Sequence, residues 1–436
     1  MSIPAGTPPA ARKRPRIFYG WYIVGASNLS NAITSAVYFQ GFSAFVLPIE
    51  TTFGWSRSVI SAAASLRQAE AGFAGPAVGF LVDRIGARWI IVTGAVIVGL
   101  GLIGLGLSNG VVMFYAFFLF ISLGTSGVGH GVTWPTVVGR WFRRKRGLAI
   151  GLAVMGPIVG APMVVVNASL IDAFGWRAVL VGYGVVITVF VSLLGLVARN
   201  RPQDYGLLPY GEEPEARPGA VALFRREPEY GMSMSTVARS RAFWLLSAYL
   251  GGMFIANSGF QLHQIPYFVN DRGFSSTAAA TTIWIVLWAS GFGRTGGGWL
   301  MDKLDYRLVL VAASVMLASS FVYLQMGKPD NLVETLPFDL LFGLAFGTTI
   351  PMRGTLGSMM FGTRSLGAVV GLLQGTGVAA GVVGPILMGA LFDLRGNYSL
   401  GLWLIAAIAL AGTVPVLFME SGRTLAARVE ATRPRE

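Results

Sequence analysis

The chain has 436 residues, of which 54% are hydrophobic and only 12% charged, with a formal net charge of +13. Soluble domains carry roughly a quarter charged residues, so this chain has too few polar groups to cover a water-facing surface of ordinary size. Cysteine is absent and the two histidines have no HExxH spacing, which excludes disulfide frameworks, thiolate metal sites and a zinc centre. No metal, cofactor or enzymatic activity is expected, because no nucleophile stands with a base or a metal cluster.

The apolar residues fall instead in runs of about twenty or more, long enough to cross ~30 Å of hydrocarbon as helices. Residues 1–19 are basic without a small-residue cleavage site and read as a cytoplasmic tail leading into a retained first span. The N-terminal half, 20–198, holds predicted spans at 20–47, 57–82, 89–108, 111–138, 147–170 and 177–198. A segment at 199–241, rich in Pro, Gly, Glu and Arg, lacks the apolar area to fold tightly and reads as a cytoplasmic linker. The C-terminal half, 242–419, holds spans at 242–268, 277–301, 307–326, 337–360, 366–392 and 399–419, and 420–436 is a second cytoplasmic tail. The expected fold is therefore an all-α polytopic membrane protein.

With both termini inside, 25 Lys and Arg residues fall in cytoplasmic segments against 5 outside. That asymmetry is the one positive loops impose by resisting translocation. It assigns the net charge to topology and anionic lipid headgroups, so nucleic acid is not an expected partner. A cell-membrane location and a monomer are expected.

The two halves repeat one another. Gly54-Trp-Ser followed by Gly79 and Asp83 recurs, 219 residues on, as Gly273-Phe-Ser followed by Gly298 and Asp302. Gly147, Gly151, Gly156 and Gly160 have counterparts in Gly367, Gly371, Gly377 and Gly381. Two six-helix, pseudo-symmetric halves place a site near the midplane between them, where rocking exposes it alternately. The stretch Gly79-Phe-Leu-Val-Asp83-Arg84-Ile-Gly86-Ala-Arg88 resembles the loop signature of the major facilitator superfamily. Gly298-Trp-Leu-Met-Asp302-Lys303-Leu-Asp305-Tyr-Arg307 resembles its second copy, with Asp305 where a glycine is usual and hence an expected looser loop. In both, the glycine permits close helix approach, and the carboxylate with its adjacent cations is expected to latch neighbouring helix ends in one gating state. A narrower resemblance, to bacterial monocarboxylate transporters and oxalate:formate antiporters, is carried by Phe18-Tyr-Gly-Trp21, Phe53-Gly-Trp-Ser-Arg57, Trp141-Phe-Arg-Arg-Lys-Arg-Gly147 and Arg201-Pro-Gln-Asp-Tyr-Gly206. It implies carboxylate substrates, with proton coupling or exchange.

Ionisable residues deep in lipid are costly and face a cavity or a partner, so each is a candidate functional residue. In chain order, Asn28, Asn31, Ser35 and Tyr38 make a polar face on the first span, where lining the pathway and interhelical bonding are both open readings. Phe39 and Phe42 are candidates to enclose the organic part of a substrate. Arg67 and Glu70, three apart on one helix, suit a structural ion pair, with proton coupling by Glu70 as the other reading. His130 lies in a glycine-rich fourth span and reads as packing or hydrogen bonding, with a substrate contact as the alternative. Gly156-Pro157-Ile-Val-Gly160 resembles the fifth-span motif of antiporters, and its small-residue spacing also serves plain helix contact. On the seventh span, Asn257, Gln261 and Gln264 mark one polar face, with His263 and Tyr267 beside it. His263 is a candidate for proton or substrate contact, with a satisfied packing histidine as the other reading. Gln374 on the eleventh span is a further lining candidate.

Arg294 carries the functional expectation. Eight residues before Asp302, it lies about 12 Å into a ~30 Å core, and its repeat mate is Gly75. A guanidinium grips a carboxylate through two parallel hydrogen bonds, and Trp288-Ala-Ser-Gly-Phe-Gly-Arg294 resembles the substrate-binding eighth span of monocarboxylate transporters. The mammalian members place an acid one turn earlier, where this chain has Ser290, so their proton route does not carry over. Arg353, after Pro351, is a second candidate cation on a helix that the proline could break, with snorkelling as the other reading. The oxalate carriers' lysine in the eleventh span has no counterpart in residues 371–380, which favours a singly charged substrate unless Arg353 supplies a second charge. The expected function is transport of a small organic anion, a monocarboxylate, balanced by a proton or counter-anion. The alternative is a multidrug or metabolite efflux antiporter working through Glu70.

Overall fold

The computed structural model describes residues 17–39, 42–55, 70, 73–128, 131–160, 162–211 and 231–420. Hydrocarbon offers no partner to a backbone N–H or C=O, so a spanning chain must satisfy those groups within its own helices. Accordingly the described residues are overwhelmingly helical, and no strand occurs among them. In the N-terminal half the order is α1 (Tyr19–Thr34, continued as a π-helical turn Ser35–Phe39), α2 (Ser43–Phe53), α3 (73–85), α4 (Ala87–Gly106), α5 (Val111–Val128), α6 (Thr133–Trp141), α7 (Arg146–Ala153), α8 (Gly156–Gly160), α9 (Met163–Phe174), α10 (Trp176–Val186) and α11 (Ser192–Val197). After the linker come α12 (Met234–Arg239), α13 (Arg241–Pro266), α14 (Ser276–Lys303), α15 (Tyr306–Gly327), α16 (Leu332–Phe361), α17 (Leu366–Gly381), α18 (Val383–Arg395), α19 (Ser399–Ala411) and α20 (Thr413–Leu417). Among the described residues, seven helical stretches are long and apolar enough to cross a membrane. Helices α13 and α14 are as long but more polar, which is where a transport path belongs.

These elements follow the expected spans with two kinds of departure. The fifth span, expected to be continuous over 147–170, is broken between α7, α8 and α9, and the eleventh is broken at Val382 between α17 and α18. The tenth, which Pro351 could have broken, runs unbroken as α16 across both Pro337 and Pro351. A proline removes one rung, and a tightly packed neighbouring helix holds the rest of the ladder together.

The repeat has a structural cause. Gly54 and Gly273 each sit at φ near +70° after a helical segment, a left-handed conformation that a Cβ disfavours. Two large buried apolar clusters result, one drawn from residues between Ile23 and Ala198 and one from residues between Val237 and Met419. A small third cluster of Val132, Leu366 and Val370 bridges them. The linker is better ordered at its ends than its composition predicts. The Tyr210 N–H donates to the Trp141 carbonyl, Arg143 and Arg144 N–H groups donate to the Tyr210 carbonyl, and the Met232 N–H donates to the Phe361 carbonyl. Phe142 and Gly362, the loop residues each linker end pairs with, stand at matching places in the two halves. Backbone pairing holds these ends where apolar burial cannot, and 212–230 lies outside the described residues.

Candidate functional site

The site begins with a break in a helix. Pro157 has no N–H for the carbonyl of Ala153, and the Ile158 N–H turns to Met155, so α7 ends with orphaned carbonyls in a membrane interior. Side chains take them. Ser27 Oγ donates to the Ala153 carbonyl at 2.9 Å and Asn31 Nδ2 to the same carbonyl at 3.4 Å, while Asn28 Nδ2 adds a bond at 2.9 Å to the Leu152 carbonyl, which also accepts from the Met155 N–H. The carbonyl of Val154 is taken from the other half of the molecule, by Arg294 Nη1 on α14 at 2.6 Å. Of the two open readings for Asn28 and Asn31, interhelical bonding is therefore the one observed.

A neutral carbonyl does not compensate a guanidinium. Arg294 is 3% exposed, its Nε has no partner, and no carboxylate touches it among the described residues. Arg353 on α16 is 5% exposed, with Nε and Nη1 unpartnered and its guanidinium 5.5 Å from the centre of the Phe254 ring on α13. It does not snorkel, since a snorkelling head reaches water. Arg353 lies eight residues from the end of α16 and Arg294 nine from the end of α14, which puts both about 12–14 Å in. Burying an unpaired ion costs several kcal/mol, and here two like charges share one level.

Other candidates scatter. Asn257 is buried one turn from Phe254 and has no hydrogen-bond partner among the described residues, while Gln261 is exposed a turn further along. Gln264, expected on the same face, turns instead to Thr282 Oγ1 at 2.8 Å. His263 lies 22 residues from the start of α13, near the far end of the helix and well away in depth from the arginines. Its Nε2 is 3.2 Å from the Pro385 carbonyl and its Nδ1 3.1 Å from the Tyr398 hydroxyl. A carbonyl only accepts, so Nε2 donates to Pro385, and both ring nitrogens are satisfied by protein. Burial, with the carboxylates of Asp271 and Asp393, pushes the Tyr398 phenol above its ordinary range and keeps it a donor. Tyr267 is not a lining residue: it is 1% exposed in the C-terminal apolar cluster, donating to the Leu324 carbonyl and accepting from Arg272 Nε. Tyr38 and Phe42 likewise pack on Phe118, with ring centres 5.5 and 5.1 Å away. Aromatic area is best buried against other rings, so both join the N-terminal core instead of a cavity. Gln374 packs against Gly75 of α3 with its Oε1 buried and unpartnered. Glu70 accepts from Ser122 Oγ at 2.5 Å and from Ser126 Oγ at 3.2 Å, both on α5. Arg67, its expected partner, lies outside the described residues, as do His130 and the side chain of Phe39.

The repeated loop motif forms two symmetric latches between the halves. Asp83 accepts from the Gly367 and Ala368 N–H groups at 2.9 and 2.8 Å, and Asp302 from the Gly147 and Leu148 N–H groups at 2.8 and 2.9 Å. Each carboxylate thus caps the first turn of a helix in the opposite half, where orphaned donors and the helix dipole favour negative charge. The adjacent cations do not take part as expected. Arg84 and Arg88 have no partner among the described residues, Lys303 is exposed, and Arg307 pairs locally with Asp305 at 3.5 Å. A buried arginine that sequence reasoning missed, Arg140 on α6, binds Asp83 at 2.6 Å. Asp305 does not loosen its loop: its Oδ1 accepts from the Arg307 N–H at 2.9 Å and caps α15. Gly79 and Gly298 bring the backbones together, since a Cβ at either would stand 2.1 Å from a carbonyl oxygen of the other half, Gly367 or Gly147. Asp83 and Asp302 bond across the halves at the arginine-rich ends of their helices, and Arg294 and Thr295 bond across them nearer the midplane. That side is therefore closed.

Phe254, Ser27 and Arg140 were not among the candidate site residues, Arg140 having been counted only with the cytoplasmic positive charges. Arg140 carried a readable signal, a cation one turn before a repeated loop, whereas Phe254 carried none among many apolar neighbours. A surface depression of about 540 Å³ over Gly106, Leu107, Asn109, Arg177, Ala178 and Val181 lies elsewhere, and its one charge is spent on the Gly106 and Ser108 carbonyls.

The profile described as Major Facilitator Superfamily matches residues 29–377. Human monocarboxylate transporter 2 is 24% identical over 431 residues, covering 95% of this chain and 88% of that protein. Monocarboxylate transporter 13 of Bos taurus is 25% identical over 428 residues, covering 93% and 92%. Among solved structures, a proton:xylose symporter superposes with a TM-score of 0.72 at 15% identity, covering 95% of this chain and 99% of that one. The human organic anion transporter MFSD10 does so with 0.67 at 14%, covering 92% and 100%.

Proposed function

From the premise that this chain belongs to the major facilitator superfamily, and is a multi-pass membrane transporter and not an enzyme, we propose that it carries a small organic carboxylate by alternating access. The observation that supports this is the buried Arg294 guanidinium, held by one neutral carbonyl and facing no carboxylate among the described residues. A fixed cation there raises the energy of the empty site, and an entering carboxylate lowers it through charge-assisted hydrogen bonds in a low dielectric. The name borne by the relatives, monocarboxylate transporter, agrees with that chemistry.

In this reading both termini are cytoplasmic, the protein is a monomer in the cell membrane, and the latched arginine-rich side faces the cytoplasm. The described state then receives substrate from outside, and release of Asp83 and Asp302 lets the halves rock. A proton or a counter-anion balances the charge. Glu70, reached by the hydroxyls of Ser122 and Ser126, is the proton-coupling candidate, because His263 already has protein partners on both ring nitrogens.

The test is uptake of labelled carboxylates into proteoliposomes by Arg294→Ala and Arg294→Lys. Losing one partner of a desolvated charge pair costs about 2–5 kcal/mol, so Arg294→Ala is expected to lower uptake roughly 30-fold or more. Arg294→Lys retains charge without the fork and falls between. Uptake unchanged in a folded Arg294→Ala protein removes the assignment.

A further inference from the structure

Resting on the carboxylate reading, we infer that Arg353 is a second substrate cation and that the carried species is a small dicarboxylate, two carboxylates on a short spacer. Charge carries the argument. Arg294 and Arg353 are both more than nine-tenths buried, lie at one level and have no acid in contact among the described residues. A monocarboxylate leaves one of the two positive charges uncompensated in the membrane interior, whereas a dianion neutralises both.

Geometry agrees with charge. The helices that bear the two arginines are bound into one rigid pair: a Cβ on Gly347 would stand 2.0 Å from the Ser290 carbonyl oxygen, one on Gly293 would stand 2.3 Å from the Leu344 carbonyl oxygen, and Thr348 Oγ1 donates to the Gly293 carbonyl at 3.2 Å. Arg294 and Arg353 therefore keep their spacing through rocking, as a two-point clamp must. Among the described residues nothing bonds Nε on Arg294 or Nε and Nη1 on Arg353. Phe254 stands 5.5 Å from the Arg353 guanidinium and supplies a flat wall, and the buried Asn257, one turn along, carries an amide that can donate to a carboxylate oxygen.

The experiment compares malonate with propionate, equal in carbon number and differing by one charged group, on the purified full chain in proteoliposomes. Wild type is expected to take up malonate at least 10-fold better, and malonate to raise its melting temperature more than propionate does at equal concentration. In Arg353→Gln the malonate-to-propionate uptake ratio is expected to fall at least 10-fold, and Arg353→Lys to recover part of it. A wild-type preference for propionate overturns the inference, as does a ratio within twofold of wild type in folded Arg353→Gln. Should Arg353→Gln not fold, the ratio in Arg353→Lys and the wild-type melting shifts decide in the same way. Arg294→Gln loses uptake of both acids. If it retains both, the carboxylate reading beneath fails, and that result is distinct from an unchanged ratio in Arg353→Gln.

Discussion

The crossing of α7 with α14 and the crossing of α17 with α3 are the same joint made twice. In the first, Gly147 and Gly151 lie on the backbone of Gly298 and Arg294; in the second, Gly367 and Gly371 lie on the backbone of Gly79 and Gly75. An aspartate caps each joint from the opposite half. Only at the midplane do they part: one presents Arg294, bonded to the Val154 carbonyl at the break between α7 and α8, and the other presents Gly75 with Gln374 against it. The lesson is that duplication supplied the hinge, and the departure from duplication supplied the chemistry.

The sharpest way to break this comparison is to widen one joint at a time. Gly298→Ile and Gly79→Ile each drive a side chain into a carbonyl about 2 Å away, where one-residue overpacking costs about 1–3 kcal/mol and more against backbone. Both are expected to lower uptake at least 10-fold and to lower the melting temperature; a mild effect at one alone shows that the joints are alike in shape but not in work. A smaller effect separates the caps. Asp83→Ala loses two backbone caps and the Arg140 ion pair, whereas Asp302→Ala loses its two caps and the more distant attraction of Arg146 and Lys303. Each cap is worth about 0.5–2 kcal/mol, so both variants favour opening on the arginine-rich side, Asp83→Ala more strongly. Because the chain has no cysteine, single cysteines placed at the arginine-rich ends of α7 and α17 report that opening by labelling rate. Equal rates in the two variants mean that Arg140 adds nothing. The smallest effect is expected of Ser27→Ala and Asn31→Ala, which return the Ala153 carbonyl to an unsatisfied state at about 1–3 kcal/mol. A thermal melt reads it as a loss of a few degrees, and no change means that water or a shifted helix fills the gap.

How far the sequence foretold this molecule depends on what a feature needs. The second latch was legible because Asp302 repeats Asp83 at a fixed interval, and the depth of Arg294 because helical rise converts eight residues to a distance. Tyr267 misled and His263 stayed open between two readings, since a polar residue on a membrane helix looks the same from the sequence whether it lines a path or bonds a neighbouring carbonyl. For Tyr267 that carbonyl is Leu324, and for His263 it is Pro385, neither marked by any pattern in the chain.

By itself the sequence determined the solvent, the helical class, the doubling of the chain and the presence of cations where lipid forbids them, all properties of composition and one-dimensional spacing. Tertiary structure alone decided which of those cations found a partner. Arg140 met Asp83 across 57 residues, Arg294 met only the Val154 carbonyl across 140, and Arg353 met a ring. The physical reason is that compensation of a buried charge is settled within a few ångströms, and which groups come that close depends on how distant helices pack.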